Sequence, residues 1–239
     1  MPNPPYRRVV VKLSGEALQG PGEAGLHGPT LVAIATDIAD ARKAGFEVAV
    51  VVGGGNFFRG VRGTAQGIDR VRGDSIGMLG TVMNALAIEG ALLGHGCESR
   101  AMSAVAMPTL CDTYERNMAR RHMEAGRVVV LGGGTGNPLF TTDTAAALRA
   151  AELSCDALLK ATNVDGVYTA DPKIDRTATR YDRLTHAEAI AKDLKVMDTA
   201  AFALARESRL PILVFSIQEP GAITAVLQGR GHATEVTPD

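Results

Sequence analysis

One stretch of this sequence decides the fold class: VAVVVGGG, residues 48–55. Five apolar, mostly β-branched residues run without a polar interruption straight into three glycines. A run that is too short for a helix and has no alternation of polar and apolar residues is typical of a strand buried on both faces of a parallel sheet. Glycines at the end of such a strand let backbone N–H groups approach an anion closely. The stretch therefore predicts a parallel strand that ends in an anion-binding turn.

Apolar runs of the same kind recur along the chain and alternate with helical patterns. The predicted strands are residues 9–13, 48–52, 128–131, 157–159 and 212–215. The predicted helices are residues 30–44, 74–93, 112–125, 141–153 and 198–209. This alternation predicts an α/β fold of three layers, with a mainly parallel central sheet sandwiched between helices.

The composition is that of one soluble globular domain. The chain has 239 residues, of which 46% are hydrophobic and 21% are charged, so a packed core is expected and a disordered or fibrous chain is excluded. A net charge of −1 gives no overall attraction to nucleic acid or to an anionic membrane. Three scattered cysteines favour a reducing cytoplasm as the location of the protein. We expect no membrane-spanning segment from the lengths of the apolar runs.

A second glycine cluster follows another predicted strand. GGGTGNP, residues 132–138, comes directly after the strand at 128–131. One such cluster is explained by a tight turn alone, but two at successive strand ends favour phosphate binding. Neither is a standard signature, because Val61 and Arg62 stand where a P-loop requires Lys-Ser/Thr, and no GxGxxG opens a helix.

Two cations lie beside these predicted phosphate turns. Lys12 ends the first strand and precedes Ser14 and Gly15, which places its ammonium at the crevice formed by strand ends. Taken alone, a lysine at a strand edge in water is the more common explanation. Arg59 follows the first glycine cluster, where a guanidinium would hold phosphoryl oxygens or simply lie exposed.

Several further stretches allow both a functional and a structural interpretation. Thr141 and Asp143 head an alanine-rich helix, where they serve as ordinary capping residues or bind an acceptor phosphate and orient cations. In the loop after residues 157–159, Tyr168 would stack on a purine and Asp171 would bind a ribose or adenine edge, unless this is a surface loop. Four apolar side chains on one face of the second helix indicate core packing: Met78, Met83, Leu86 and Leu93.

Five motifs together resemble one family. They are KLSGEAL from Lys12, GGGNFFRG from Gly53, RGDSIGMLGTVMNALA from Arg72, GGGTGNPLFTTDTAA from Gly132 and KATNVDGVYTADP from Lys160. In this order and spacing they resemble the bacterial uridylate kinases (UMP kinases) of the amino acid kinase superfamily, over residues 9–227.

The resemblance implies the transfer of the γ-phosphate of ATP to UMP in pyrimidine nucleotide synthesis, with Mg²⁺ bound through the nucleotide phosphates. It implies catalytic roles for Lys12, Arg59, Asp143 and Asp156, and Asp198 matches the VMD motif of the family. It implies ATP contacts at Lys12, Leu13, Ser14, Gly15, Gly55, Arg59, Thr162, Asn163, Tyr168 and Asp171. It implies UMP contacts at Gly54, Asp74 (on the ribose), Thr135, Gly136, Asn137, Pro138, Leu139, Phe140, Thr141 and Thr142.

The resemblance also implies a homohexamer, activation by GTP and inhibition by UTP. Residues 1–8 are proline-rich and basic, which predicts a loose arm before one domain at 9–239. Within this domain we expect acceptor binding in about 9–150 and ATP binding in about 151–239. Residues 19–28 match the GTP-linked stretch of the family weakly, Asn163 replaces a common lysine, and Ser216 replaces an asparagine. Two alternatives remain: another kinase of the superfamily, or a non-catalytic protein of the same fold that binds nucleotides or oxoanions.

Overall fold

The structure, a computed structural model, describes residues 6–22, 24–58, 67–172, 174–194 and 196–239. Within these residues nine strands form one sheet in the order β4-β3-β5-β2-β1-β6-β8-β9-β7. The strands are β1 Arg8–Leu13, β2 Glu47–Val52, β3 Ser99–Ser103, β4 Asp112–Thr113, β5 Val128–Gly132, β6 Ala157–Thr162, β7 Arg183–Thr185, β8 Ile212–Ser216 and β9 Thr234–Thr237. All neighbouring strands are parallel except β8 and β9.

Helices cover both faces of this sheet. They are α1 Gly28–Lys43, α2 Arg70–Gly94, α3 Arg116–Glu124, α4 Thr142–Glu152, α5 His186–Ala191, α6 Thr199–Glu207 and α7 Ala222–Leu227, and a short 3-10 helix spans Gly15–Leu18. In β1, Val9 and Val11 pack with α1, α2 and α7, whereas Val10 packs with α3 to α6 on the other face. The predicted three-layer α/β architecture is therefore confirmed.

The middle of the sheet contains the point where the strand order reverses. β1 pairs with β2 on one side and with β6 on the other, and Lys12 lies opposite Lys160 in that second pairing. Ligands of open α/β sheets bind outside the carboxyl ends of the strands at such a reversal. The ends of β1, β2, β5 and β6 therefore define the crevice in which a functional site is expected.

The five predicted strands are present, but two helix starts were predicted wrongly by four residues. The helix expected at 74–93 already begins at Arg70, because Asp69 caps it by accepting from Arg72 N–H. The helix expected at 112–125 begins only at Arg116, because Asp112 and Thr113 pair with β3. Glu115 then caps the helix by accepting hydrogen bonds from the N–H groups of Asn117 and Met118. Six further elements were not predicted: the inner strands β3 and β9, the edge strands β4 and β7, and the helices α5 and α7.

The long helix α2 is apolar on more than one side. Its length and composition would allow it to cross a membrane, yet Val82, Ile88 and Leu92 are buried against the rest of the fold. The prediction that its methionine and leucine stripe is core was wrong for Met83 and Leu93, which are half exposed. One face of α2 thus packs on the sheet, and a second apolar face lies at the surface.

Candidate active site

Two lysines and one carboxylate meet at the carboxyl ends of β1 and β6. Lys12 Nζ lies 2.9 Å from Asp143 Oδ1, and Lys160 Nζ contacts the other oxygen of the same carboxylate. Both lysines are buried, with 8% and 7% of their surface exposed. The cluster carries a net positive charge where water is largely excluded, and such a charge favours an anion. We call these three residues the lysine–aspartate cluster.

Burial and charge oppose each other in the pKa values of this cluster. Burial alone raises the pKa of Asp143, but the attraction of Lys12 and Lys160 outweighs it and lowers that pKa below its usual value. Burial lowers the pKa of Lys160, and the like charge of Lys12 adds to this effect while Asp143 opposes it. Asp143 is therefore ionised at neutral pH and holds both ammonium groups in place.

The first glycine turn is bonded to the end of β1, next to Lys12. Gly53 N–H donates to the carbonyl of Leu13 at 2.9 Å, which joins the end of β2 to the end of β1. A Cβ on Gly15 would lie 2.5 Å from Asn56 Oδ1, and one on Gly54 would lie 2.5 Å from the carbonyl of Gly77. Since both contacts are too short for a side chain, only glycine allows the backbone of the turn to lie this close to α2 and β1.

A buried pair of amides holds the shape of that turn. Asn84 Nδ2 donates to the carbonyl of Gly53 at 2.6 Å and to Asn56 Oδ1 at 2.7 Å. Asn56 Nδ2 also donates to the carbonyl of Gly25 at 2.9 Å, and the backbone carbonyl of Asn56 accepts from Gly25 N–H at 2.9 Å. The stretch at 19–28 is therefore bonded to the phosphate turn through both the side chain and the backbone of Asn56.

The second glycine turn and the start of α4 border a cavity of about 590 Å³. Gly133 N–H donates to Thr81 Oγ1 at 2.6 Å, and Leu139 N–H donates to Asp74 Oδ2 at 2.8 Å. The lining residues are Gly54, Phe58, Arg70, Asp74, Gly77, Met78, Thr81, Gly134, Thr135, Asn137, Phe140, Thr141 and Thr142. The structure thus brings most of the residues expected to hold UMP around one cavity.

The start of α4 is tied to the start of α6. Thr141 caps α4 by accepting from the N–H groups of Asp143 and Thr144, and its hydroxyl donates to Asp198. Asp198 also accepts from Thr144 Oγ1 and from Ala201 N–H, both at 2.9 Å. Asp198 therefore caps α6 and fixes the helix end that faces the acceptor cavity.

A second cavity of about 540 Å³ lies on the other side of the cluster. Lys160, Thr162, Tyr168, Asp171 and Lys192 are among its lining residues. Tyr168 donates to Asp165 at 2.7 Å, and this hydrogen bond, with a smaller effect of burial, raises the pKa of Tyr168. Three of the residues expected to hold the ATP nucleoside thus share one cavity.

A third cavity of similar volume is unsuited to a triphosphate. The charged residues that line it are acidic: Glu16, Asp37 and Glu219. Asn163 lies here and accepts a hydrogen bond of 2.9 Å from Gln218, so the structure does not bring it together with Thr162 and Tyr168. The cavity that contains Lys160 is the better candidate for a nucleotide.

Three other predicted site residues have structural contacts instead of the expected ligand-facing positions, and a fourth is not described. Asp156 precedes β6 and accepts from the N–H groups of Arg7 and Arg8 at 2.7 and 2.8 Å. It lies four residues before Lys160 on an extended strand, about 13 Å away at the opposite edge of the sheet. The Leu13 side chain is core, and Ser14 caps the 3-10 helix. Arg59 lies outside the described residues.

Sequence reasoning missed Lys160 as a site residue. Lys160 lies at the carboxyl end of a buried strand, as Lys12 does. That shared position is the signal that would have found it. Its contact with Asp143, however, depends on the pairing of β6 with β1.

The fold and the site are those of an α/β enzyme that transfers phosphate groups. Comparison with known protein families supports this class. Residues 7–216 match the model of the Amino acid kinase family. A uridylate kinase of Azorhizobium caulinodans is 62% identical over 238 residues, and the alignment covers 100% of both chains. One of Nitrobacter hamburgensis is 58% identical over 99% of both chains.

A solved structure agrees with these relatives. The crystal structure of UMP kinase from Bacillus anthracis has a TM-score of 0.94 and 39% identity, and the match covers 98% of this chain and 97% of that one. The chain therefore belongs to the uridylate kinases of the amino acid kinase family.

Proposed function

We infer that this chain is an ATP-dependent nucleoside monophosphate kinase, which transfers the γ-phosphate of ATP to UMP and releases ADP and UDP. The observation that carries the mechanism is the lysine–aspartate cluster between two nucleotide-sized cavities. The cavity with Thr162, Tyr168 and Asp171 would hold the ATP nucleoside. The cavity with Asp74 and residues 135–142 would hold UMP.

The reaction needs no covalent intermediate on the protein. An oxygen of the UMP phosphate attacks the γ-phosphorus, and the new P–O bond forms as the bond to the β–γ bridging oxygen breaks. Since the attacking phosphate is already anionic, the protein has to position both nucleotides and neutralise the charge between them.

The side chains and amides at the strand ends suit that task. Lys12 and Lys160 would face the transferring phosphoryl group, and Asp143 would keep the two ammonium groups apart and correctly placed. The N–H groups of Gly15, Gly54 and Gly55 would bind phosphate oxygens, together with the N-terminus of α4. Arg59 is retained in this proposal from the family resemblance alone. Asp156 is left out because of its position at the opposite edge.

Mg²⁺ fits this site as an ion carried by the nucleotide. No group of three or more His, Cys, Asp or Glu side chains suited to a metal occurs in the described ranges. Mg²⁺ is commonly bound by phosphate oxygens and water with one or two carboxylates, and Asp143 is a carboxylate within the crevice. When bound, Mg²⁺ would offset charge on the phosphates of ATP.

The apolar surface of α2 supports assembly into a homohexamer. Leu79 and Met83 are one helical turn apart and are about half exposed, as are Val71 and Leu93. An exposed apolar stripe of this kind marks an interaction surface, and a second copy of the chain would cover it. The same helix lines the acceptor cavity, so assembly would also steady that cavity.

Regulation by GTP and UTP, the division into acceptor and ATP parts near residue 150, and a cytoplasmic location are further parts of the proposal. The link from Gly25 through Asn56 to the first glycine turn supports a route from the loop at 19–28 to the phosphates. The free cysteines Cys97, Cys111 and Cys155 suit a reducing compartment.

The test is a coupled ADP-release assay with ATP, Mg²⁺ and a panel of acceptors, with and without GTP or UTP. UMP should be the preferred acceptor over CMP, dUMP, carbamate, carboxylates and isopentenyl phosphate. Preference for a non-nucleotide acceptor would favour another kinase of the family. ATP binding without any transfer would indicate a non-catalytic nucleotide-binding protein.

A further inference from the structure

Arg70 holds the carboxylate that is expected to bind the acceptor ribose. Its Nε lies 2.8 Å from Asp74 Oδ1 and 2.9 Å from Asp74 Oδ2, one turn apart on α2. Asp74 is largely covered, with 15% of its side chain exposed against 48% for Arg70. On its other side Asp74 accepts the hydrogen bond from Leu139 N–H. The carboxylate is thus fixed between α2 and the segment after the second glycine turn.

The positions of Arg70 and Asp74 along α2 indicate how far each residue lies from the expected phosphate of the acceptor. Gly54 meets α2 at Gly77, which marks the phosphate end of the acceptor cavity. Asp74 is three residues nearer the start of the helix, a rise of about 4.5 Å, and Arg70 is one further turn out. Among the described residues that line this cavity, these two are the charged ones. Asp74 therefore lies where the sugar of a bound nucleotide would be, with Arg70 behind it.

The second contact of Asp74 restrains a strained residue. Leu139 has φ of +73°, a left-handed conformation that costs a non-glycine residue about 1 kcal/mol or more. Its side chain is exposed, so packing does little to hold it there. The hydrogen bond to Asp74 supplies that restraint, and it depends on the carboxylate staying in the orientation that Arg70 gives it.

We propose that Arg70 is a positioning residue that sets the preference of this site for ribonucleotides. It holds the Asp74 carboxylate so that its oxygens accept hydrogen bonds from the ribose hydroxyls of the acceptor, and it steadies Leu139 through the same group. A deoxyribose lacks the 2′-hydroxyl and therefore donates fewer hydrogen bonds to the Asp74 carboxylate. The inference rests on the proposed function, because it concerns the acceptor of that reaction.

A simpler explanation would make Arg70 and Asp74 an ordinary surface ion pair on a helix. Such a pair stabilises the helix slightly and has no effect on the choice of substrate. The two explanations differ in the ratio of kcat/KM for UMP to that for dUMP. Only a positioning role lowers this ratio when Arg70 is replaced.

The experiment measures kcat and KM for UMP, dUMP and ATP in the full-length wild-type protein and in Arg70→Gln. Because hydrogen bonds to charged groups are strong, we expect Arg70→Gln to lower kcat/KM for UMP by roughly ten- to hundredfold. The loss for dUMP should be several-fold smaller, and the KM for ATP should stay unchanged. Arg72→Gln is the matched control, because Arg72 is an exposed arginine of the same helical turn.

Two further variants separate positioning from folding. Asp74→Asn should lower the UMP-to-dUMP ratio by itself, and adding Arg70→Gln to it should lower the ratio little further. Arg70→Lys should restore part of the ratio through its charge. An unchanged ratio in Arg70→Gln, in a wild type that phosphorylates UMP, would overturn this inference alone. A wild type inactive with UMP would overturn the proposed function and this inference with it.

Discussion

Lys12, Asp143 and Lys160 show how a buried ion cluster is tolerated. Leaving a charge unpaired in a protein interior is costly, and here one carboxylate contacts two ammonium groups. The three side chains carry one more positive than negative charge, and an anionic phosphate would offset it. The cluster is therefore suited to stabilising negative charge in the transition state.

The first prediction concerns Lys12. Lys12→Met keeps the length of the side chain and removes its charge, and the remaining Lys160–Asp143 pair should let the protein stay folded. Removing one preorganised donor of this kind typically lowers kcat by about 100- to 1,000-fold. Steady-state kinetics with ATP and UMP, with circular dichroism to check folding, measure this. Near-normal turnover would contradict the assigned role.

The second prediction concerns pH and His186. This imidazole is completely buried, and within the described part of the chain neither ring nitrogen has a hydrogen-bond partner. Burial lowers its pKa below the usual value, Asp239 opposes this, and Arg206 adds to it. The unfolded chain therefore takes up a proton below about pH 6.5 that the folded protein does not, so stability falls as the pH drops through that range.

Thermal melts at pH 7.0 and 5.5 test this. In His186→Leu the loss of stability on acidification should be smaller, by up to about 1.4 kcal/mol per pH unit. His232→Leu is the control, because His232 is exposed in the folded protein and changes its surroundings little on unfolding. Equal acid sensitivity in wild type and His186→Leu would contradict the prediction.

At the scale of elements, the start of α4 is held by the start of α6. Asp198 caps α6 and accepts the hydroxyls of Thr141 and Thr144. The acceptor end of α4 thus depends on a residue more than fifty positions later in the chain. Such cross-helix bonds explain how an aspartate outside both cavity linings can influence substrate binding.

The third prediction follows from this link. Asp198→Ala should lower stability by about 1 to 2 kcal/mol through loss of the cap. It should also raise the KM for UMP more than the KM for ATP, because Thr141 is released. Glu115→Ala provides the comparison, since it removes the cap of α3 away from both cavities. If both variants change KM for UMP equally, the link between α6 and the acceptor site is not functional.

At the scale of the whole molecule, the strand order of the sheet reverses between β1 and β6, near the two cavities that we propose to bind nucleotides, and α2 links one of these cavities to the surface. This helix contributes core residues on one face, cavity residues on another and an exposed apolar stripe on a third. Its position makes it a route by which self-association can affect the acceptor site.

The fourth prediction tests that stripe. The double variant Leu79→Glu and Met83→Glu places two charges on it and should dissociate the proposed homohexamer into smaller species. Light scattering after gel filtration measures the mass. Ile174→Glu serves as control, because Ile174 is 84% exposed in a loop and belongs to a different surface. An unchanged mass in the double variant would show that another surface assembles the protein.

The sequence by itself determined the central strands, the layer architecture and the kind of ligand expected. Runs such as VAVVVGGG encode a buried strand and its glycine turn within a few neighbouring residues, so they can be recognised without the rest of the chain. Alternation of strand and helix then implied three layers, and two glycine clusters at strand ends favoured phosphate as the ligand. The motifs added the family, which the comparisons confirmed.

Only the tertiary structure decided which distant residues meet. The register between β1 and β6 places Lys160 beside Lys12 at the carboxyl ends of these strands, and Asp156 beside the backbone of Arg7 and Arg8 at their amino ends. The same packing puts Asn163 into a different cavity from Thr162 and exposes Met83 on a helix whose pattern indicated core. Pairings of this kind depend on which strands and helices pack together across the whole chain, and no local pattern contains that information.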